Sequence, residues 1–255
     1  MSGRVGTLPS SGAYHPARRR MPVGRAGSGP IAGAPDRELD GIRHVVLVMG
    51  REVDRAVTRS VCGLVDRDLE VCDGVIAQTT RLRALQRELR QLCLTAVLDP
   101  EPAPGGRREA VVLLHMAAEL ERIGDHCAEI ARIGRELAGL PESGADHGLA
   151  RMAEHCSEEV RQVLVAVEQR DLRRARARAV RDDRLEHLCR RLVEELAEGI
   201  DAEPGAARRA ARVLAVARLL ERIADRVVTV AEDLLLVDGG AVELTGLPAD
   251  AATGR

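Results

Sequence analysis

A hydrophobic stripe that recurs one hundred residues later constrains this chain more than any other feature. Residues 119–126 read Glu-Leu-Glu-Arg-Ile-Gly-Asp-His, and residues 219–226 read Leu-Leu-Glu-Arg-Ile-Ala-Asp-Arg. Around them Leu113, Met116, Leu120, Ile123, Cys127 and Ile130 are answered by Val213, Val216, Leu220, Ile223, Val227 and Val230. That alternation of three and four is the seam of a packed helix. A second echo, Arg67-Asp68-Leu69 against Arg170-Asp171-Leu172, runs at an offset of 103. A chain that repeats itself in this way builds the same unit twice. Two tandem three-helix bundles in an all-α fold are therefore expected.

Breakers set the boundaries. Asp99-Pro-Glu-Pro-Ala-Pro-Gly-Gly106, Gly139-Leu-Pro-Glu-Ser-Gly144 and Asp201-Ala-Glu-Pro-Gly205 read as loops. Asp68 and Asp171 read as helix N-caps. Six helical segments follow, near 38–65, 69–98, 106–138, 146–169, 172–199 and 205–237. Residues 1–37 form a basic arm without periodicity, 38–140 the first bundle, 141–238 the second, and 239–255 a flexible tail.

Composition narrows the chemistry. The 255 residues contain no Phe or Trp, one Tyr, no Lys and no Asn, so all 38 basic residues are Arg. Base-stacking platforms, Schiff-base lysines and phosphate-loop lysines are thereby excluded. A core must come from Leu, Val, Ile, Ala, Met and Cys, with Met49, Met116 and Met152 falling on the stripes. Residues 1–35 carry +5, and the remainder carries −7. No apolar run approaches the ~20 residues of a membrane span, and the basic N-terminus lacks a signal-peptide core, so a cytoplasmic location is expected. Six cysteines at 62, 72, 93, 127, 156 and 189 form no CxxC and read as small buried hydrophobes in a reducing compartment.

The seam directs attention to carboxylates. With Leu120 and Ile123 turned inward, Glu121 and Asp125 fall one turn apart on an outward side, as do Glu221 and Asp225. Like charges at this spacing repel unless a cation compensates, and carboxylate oxygens suit hard or iron-type cations. Such a pair can also be a solvated face neutralised by Arg122 or Arg222. In the second half Asp182 and Glu186 form a further pair, with Asp183 between them, so four carboxylates converge from two helices. The equivalent first-half stretch is Thr79-Thr80-Arg81-Leu82-Arg83, where Arg83 matches Glu186. A guanidinium there satisfies Glu121 and Asp125 without a metal. Elsewhere Arg170, Arg174, Arg178 and Arg181 form a basic stripe on the fifth helix, either a solvated face or a docking surface for an acidic partner or anionic lipid. His115, one turn before Glu119, and His126, beside Asp125, are either nitrogen ligands or ordinary surface histidines.

The duplicated Leu-Glu-Arg-Ile-x-Asp motif, the Asp-Asp-Arg-Leu-Glu segment and the Arg-Asp-Leu helix openings resemble the PhoU family of phosphate-uptake regulators over roughly residues 38–237. The resemblance implies an all-α, dimeric protein of two similar bundles with no enzymatic activity. It implies a cytoplasmic adaptor that restrains the phosphate ABC transporter, through its ATPase, and the sensor histidine kinase when phosphate is plentiful. It also implies clusters of divalent or iron-type metal ions on paired carboxylates. Carried onto this chain, the metal ligands are Asp182, Glu186, Glu221 and Asp225, with Asp183 a lesser member. Glu121 and Asp125 match the motif of the first site, but their partner segment departs at Thr79 and Arg83. Ala224 and Arg226 stand where the first motif has Gly and His, and the added charge lowers cation affinity beside Asp225.

Two other classes serve as alternatives. A diverged metal-binding helical protein with enzymatic or other regulatory work would fit four converging carboxylates, but the di-iron class needs Glu-x-x-His and no His here has Glu three residues before it. A nucleic-acid binder would use the basic arm, but the body is acidic and carries no helix-turn-helix pattern, so no nucleic-acid partner is expected, and membrane association is at most peripheral.

Overall fold

In the computed structural model, residues 34–102, 104–139, 146–180, 183–199 and 205–237 are described. The basic stretch 1–33 and the tail from 238 onward lie outside them. Seven helices occur among the described residues: α1 Ala34–Val65, α2 Leu69–Leu98, α3 Gly106–Leu137, α4 Asp146–Gln169, α5 Leu172–Arg178, α6 Asp183–Gly199 and α7 Ala206–Val237. No strand is found among the described residues. The first helix begins ahead of residue 38, with Pro35 in its first turn, where a missing N–H costs nothing.

The repeat is written in the backbone as well as in the side chains. Left-handed backbone among the described residues falls at Arg67 and Arg170, and at Gly105 and Gly205. Each pair is related by the offset of its repeat. At the first pair the helix ends in a Schellman-type closure, with the Asp68 N–H donating to the Gly63 carbonyl at 2.9 Å and the Asp171 N–H to that of Ala166 at 3.0 Å. The next helix then starts at once, because Asp68 accepts from the Val71 N–H and Asp171 from those of Arg173 and Arg174. Both expected caps are present.

One expected helix is not continuous. The segment 172–199 is divided into α5 and α6, and Val180, 66% exposed, sits in the break. Arg174 and Arg178 are like charges one turn apart in α5, which weakens continuation, while Asp183 and Glu186 favour a fresh N-terminus by the helix dipole. In the first half the matching stretch carries neutral Gln78 and Thr79, and α2 runs through it unbroken.

Every residue of the two matched stripes is at most 3% exposed, and the core is aliphatic with cysteine and methionine as expected. Cys62 is the exception among the thiols, being exposed. Helices α1, α2 and α3 pack on one another, as α4, α5, α6 and α7 do among themselves, except that α5 does not touch α6. The two sets are joined by α1 on α4 and α3 on α7, with α2 and α6 outermost, and one buried cluster runs through both. Close approach at the α1–α4 joint depends on Gly50, where a Cβ would lie 2.1 Å from Leu164 Cδ2.

Candidate functional site

The first-half carboxylates are closed by arginines. Arg83 on α2 donates through Nη2 to Asp125 Oδ1 at 2.9 Å, and its Nε lies 3.8 Å from Glu121 Oε1. Nearby Glu52, 8% exposed, accepts from Gln78 at 2.9 Å and from Arg55 at 2.7 Å, with Arg81 at 3.4 Å. The expected guanidinium is therefore in place. Three acids here face three arginines within the chain, so guanidinium groups supply the balancing positive charge. Among the described residues, Glu121 and Asp125 belong to no group of three His, Cys, Asp or Glu that could hold a metal ion.

The second half replaces that arrangement with an open cleft of about 470 Å³. His155 and Glu159 reach it from α4, Asp183 and Glu186 from α6, and Glu221 and Asp225 from α7. His155 stands at the repeat position of Glu52, and Glu186 at that of Arg83, so the polarity of the first half is partly inverted. The acids are individually engaged. Arg218 bonds Glu221 at 2.7 Å, Arg190 bonds Glu186 at 2.9 Å and Arg178 bonds Glu159 at 2.6 Å. Burial, followed by a hydrogen bond to Glu221, pushes the Cys189 thiol up to about 11, so it is a neutral donor to that carboxylate. Among the described residues, no three His, Cys, Asp or Glu side chains are grouped closely enough to hold a metal ion. Asp182 lies outside them. The described acids share a cleft but are not a preformed ligand set.

The expected basic stripe is not a single helical face. Arg170 is in the turn before α5, 3.6 Å from Glu109, and Arg174 donates to Gln162 at 3.1 Å. Arg178 is held by Glu159, and Arg181 lies outside the described residues.

A polar cluster of which the sequence showed only His115 and Glu119, without their α7 partners, crosses the α3–α7 joint. Glu119, 1% exposed, accepts from Arg122 on its own helix and from Arg226 Nη1 on α7 at 3.1 Å. His115 Nδ1 pairs with Asp233 Oδ2 at 2.7 Å, and burial raises the Asp233 carboxyl despite that bond. The signal was faint: Glu119 precedes the inward Leu120 and needs a second helix to bury it.

Comparison with known proteins places these features. The PhoU domain matches twice, at residues 46–134 and 149–234. The chain belongs to the PhoU family. The two matched PhoU domains coincide with the α1–α3 and α4–α7 sets, so the carboxylate pairs sit on equivalent helices of two domains. The chain is 28% identical over 227 residues to the phosphate-specific transport system accessory protein PhoU homolog of Rhizobium meliloti, covering 88% of this chain and 94% of that one. It is 26% identical over 207 residues to the PhoU accessory protein of Serratia marcescens, covering 79% and 83%. In fold it is similar to the crystal structure of PhoU from Pseudomonas aeruginosa, with a TM-score of 0.75 at 24% identity, covering 81% of this chain and 99% of that one. The PhoU structure from Streptococcus pneumoniae superposes with a TM-score of 0.70 at 22% identity, covering 82% and 99%. No helix among the described residues is long and apolar enough to cross a membrane.

Proposed function

We propose that this chain is a regulatory adaptor of phosphate uptake. It restrains the phosphate ABC transporter, through its ATPase, and the associated sensor histidine kinase when phosphate is plentiful, acting in the cytoplasm as a homodimer without catalysing a reaction. The observation that carries the reading is the double PhoU match laid over the same helices that present the paired carboxylates. The accessory-protein names of its relatives support it. The described residues also offer docking chemistry: an open acidic cleft between α4, α6 and α7, rather than a nucleophile held against a base.

The reading assigns any divalent or iron-type cation to the second half, around Glu186, Glu221, Asp225 and Asp182 with Asp183, and none to Glu121 and Asp125, where Arg83 supplies the positive charge. The adaptor role does not route through that metal.

The test is a deletion in the source organism followed by complementation. Loss of the chain should leave phosphate uptake and phosphate-starvation gene expression high in phosphate-rich medium, and the intact chain should restore restraint. Unchanged uptake and expression on deletion would overturn the proposal. Metal content of the purified protein, intact and as Glu221→Ala and Glu121→Ala, checks the cation assignment: bound metal should fall with the first substitution and be untouched by the second.

A further inference from the structure

The two ends of the α1–α4 joint are built from equivalent positions and carry different charges. At one end Arg43 of α1 and Arg170, in the turn after α4, converge on Glu109 in the first turn of α3, Arg170 at 3.6 Å. The repeat carries these three positions to Asp146, Arg67 and Arg209. Asp146 opens α4, Arg209 lies in the first turn of α7, and Arg67 is in the turn after α1, with the same left-handed backbone as Arg170. Helices α1 and α4 run antiparallel, with Thr58 donating to Ser157 at 3.3 Å, Arg161 to Asp54 at 3.2 Å, and Gly50 against Leu164. Continued to the end of α1, that register sets the Arg67 turn beside the start of α4, where Asp146 holds Arg209.

Each end holds two arginines and one acid, but in a different order. At the first end the carboxylate stands in the middle and takes both guanidinium groups. At the second the middle residue is an arginine, so the acid serves only one of them. Arg209 is 8% exposed, and its Nη2 donates to both Asp146 oxygens, while Nε and Nη1 are buried with no acceptor among the described residues. Arg67 is half-buried, forms no ion pair among the described residues, and its Nη2 is buried without an acceptor. Helix α7 sharpens the imbalance. Its first turn has no acid where α3 has Glu109, and it places Arg208 and Arg209 at the end where the helix dipole is already positive. A buried guanidinium N–H without an acceptor bears its full desolvation cost, so three such nitrogens point to an acceptor that the described side chains do not supply.

We propose that Arg209 and Arg67 form an anion site at the N-terminus of α7, where a small oxyanion takes the place that the Glu109 carboxylate fills between Arg43 and Arg170. The oxygens of the ligand accept from the orphaned guanidinium N–H groups and lie at the positive end of α7. Asp146 stays on Nη2 of Arg209 and fixes that guanidinium, leaving its other nitrogens for the ion. Arg67 is the more exposed of the two arginines and marks the side from which an ion enters. Neither arginine lines the cleft between α4, α6 and α7, so the site is separate from any cation held there. It is separate from the regulatory reading as well: loss of phosphate control in cells and loss of anion binding by the purified chain are different observations.

The test is equilibrium dialysis of the full chain against radiolabelled inorganic phosphate, with acetate and chloride as competitors at matched ionic strength. Phosphate should bind saturably. Displacement by acetate identifies a site for any small oxyanion, and resistance to acetate identifies a phosphoryl ligand, either supporting the site. Arg67→Gln, at a half-buried turn position, should weaken phosphate binding roughly tenfold, the worth of one charge-assisted hydrogen bond. Asp146→Arg combined with Arg209→Glu copies the first-half order, sets a carboxylate between two arginines, and should abolish binding in a chain whose circular dichroism stays helical. No bound phosphate, equal displacement by chloride, binding unaltered in Arg67→Gln, or binding kept in the folded double variant would overturn the proposal.

Discussion

His126 shows how one side chain responds to its surroundings at the joint of the two repeats. Burial and the two arginines of α7 lower its proton affinity in the folded chain below the ordinary histidine value of 6.5. The unfolded chain then binds a proton that the folded chain resists. Stability from this source is fully present above pH 6.5 and is lost as pH falls through the lower folded value. Urea midpoints measured from pH 7.5 down to 5.5 should fall with acidification, and His126→Gln should flatten that slope; an unchanged slope in the variant would remove His126 as its source. The sequence located this residue beside Asp125 but not beside Arg222 and Arg226, because one helix's spacing says nothing of the face laid against it. Arg83 is the opposite case. Its partners Glu121 and Asp125 were legible, since α2 and α3 are repeat copies of helices whose own carboxylates face each other at the same register.

Between elements, the repeats keep a clasp and reverse its charges. Arg43 on α1 pairs with Glu109 on α3, and at the corresponding positions Asp146 on α4 pairs with Arg209 on α7. The second clasp is the more deeply buried, at 9% and 7% side-chain exposure, and Asp146 holds Arg209 Nη2 at 2.7 and 3.0 Å. Among the described residues, Arg209 Nε and Nη1 already lack acceptors. Asp146→Ala strands a buried guanidinium and should lower stability by about 3–5 kcal/mol. Glu109→Ala should cost clearly less, because Arg43 keeps Asp40 at 2.6 Å. Replacing Asp146 and Arg209 together by Leu and Met should recover most of the loss, since a buried pair breaks even at best against apolar packing. Denaturant unfolding of the variants checks the order, and equal costs for Asp146→Ala and Glu109→Ala would contradict it. Both clasps lie on the repeat offsets, but charge reversal hides the shared contact from a search for identical residues. The break between α5 and α6 was less accessible: it depends on how poorly the arginine run 170–178 holds a helix against a new start at Asp183.

At the level of the whole molecule, two bundles joined through equivalent helices share one interior. The seam of each half was plain in the sequence, but the joint was not, because Glu119, Arg226, His115 and Asp233 cross it, and these are polar residues that a search for apolar seams passes over. Ala117, Gly124, Ala128 and Ala131 are buried on α3 beside the Leu-Ile stripe, widening its buried surface beyond what a three-helix bundle needs. On α7, Ala210, Ala217 and Ala231 are buried in the same way. A helix apolar on so much of its circumference has neighbours on more than one side, and here α3 packs against α1, α2 and α7. The consequence is mechanical coupling. Neither half can open without exposing the α1–α4 and α3–α7 surfaces of the other, so unfolding should be a single transition. Ile123→Ala in the first half and Ile223→Ala in the second, both fully buried in the wild type, should each lower stability by about 2–5 kcal/mol. Each should shift the one transition seen by circular dichroism and by accessibility of the buried thiols. Cys93 reports on the first half and Cys189 on the second, and both should become reactive at the same urea concentration whichever isoleucine is cut. If Ile223→Ala exposes Cys189 while Cys93 stays protected, the halves unfold separately and the shared interior is not cooperative.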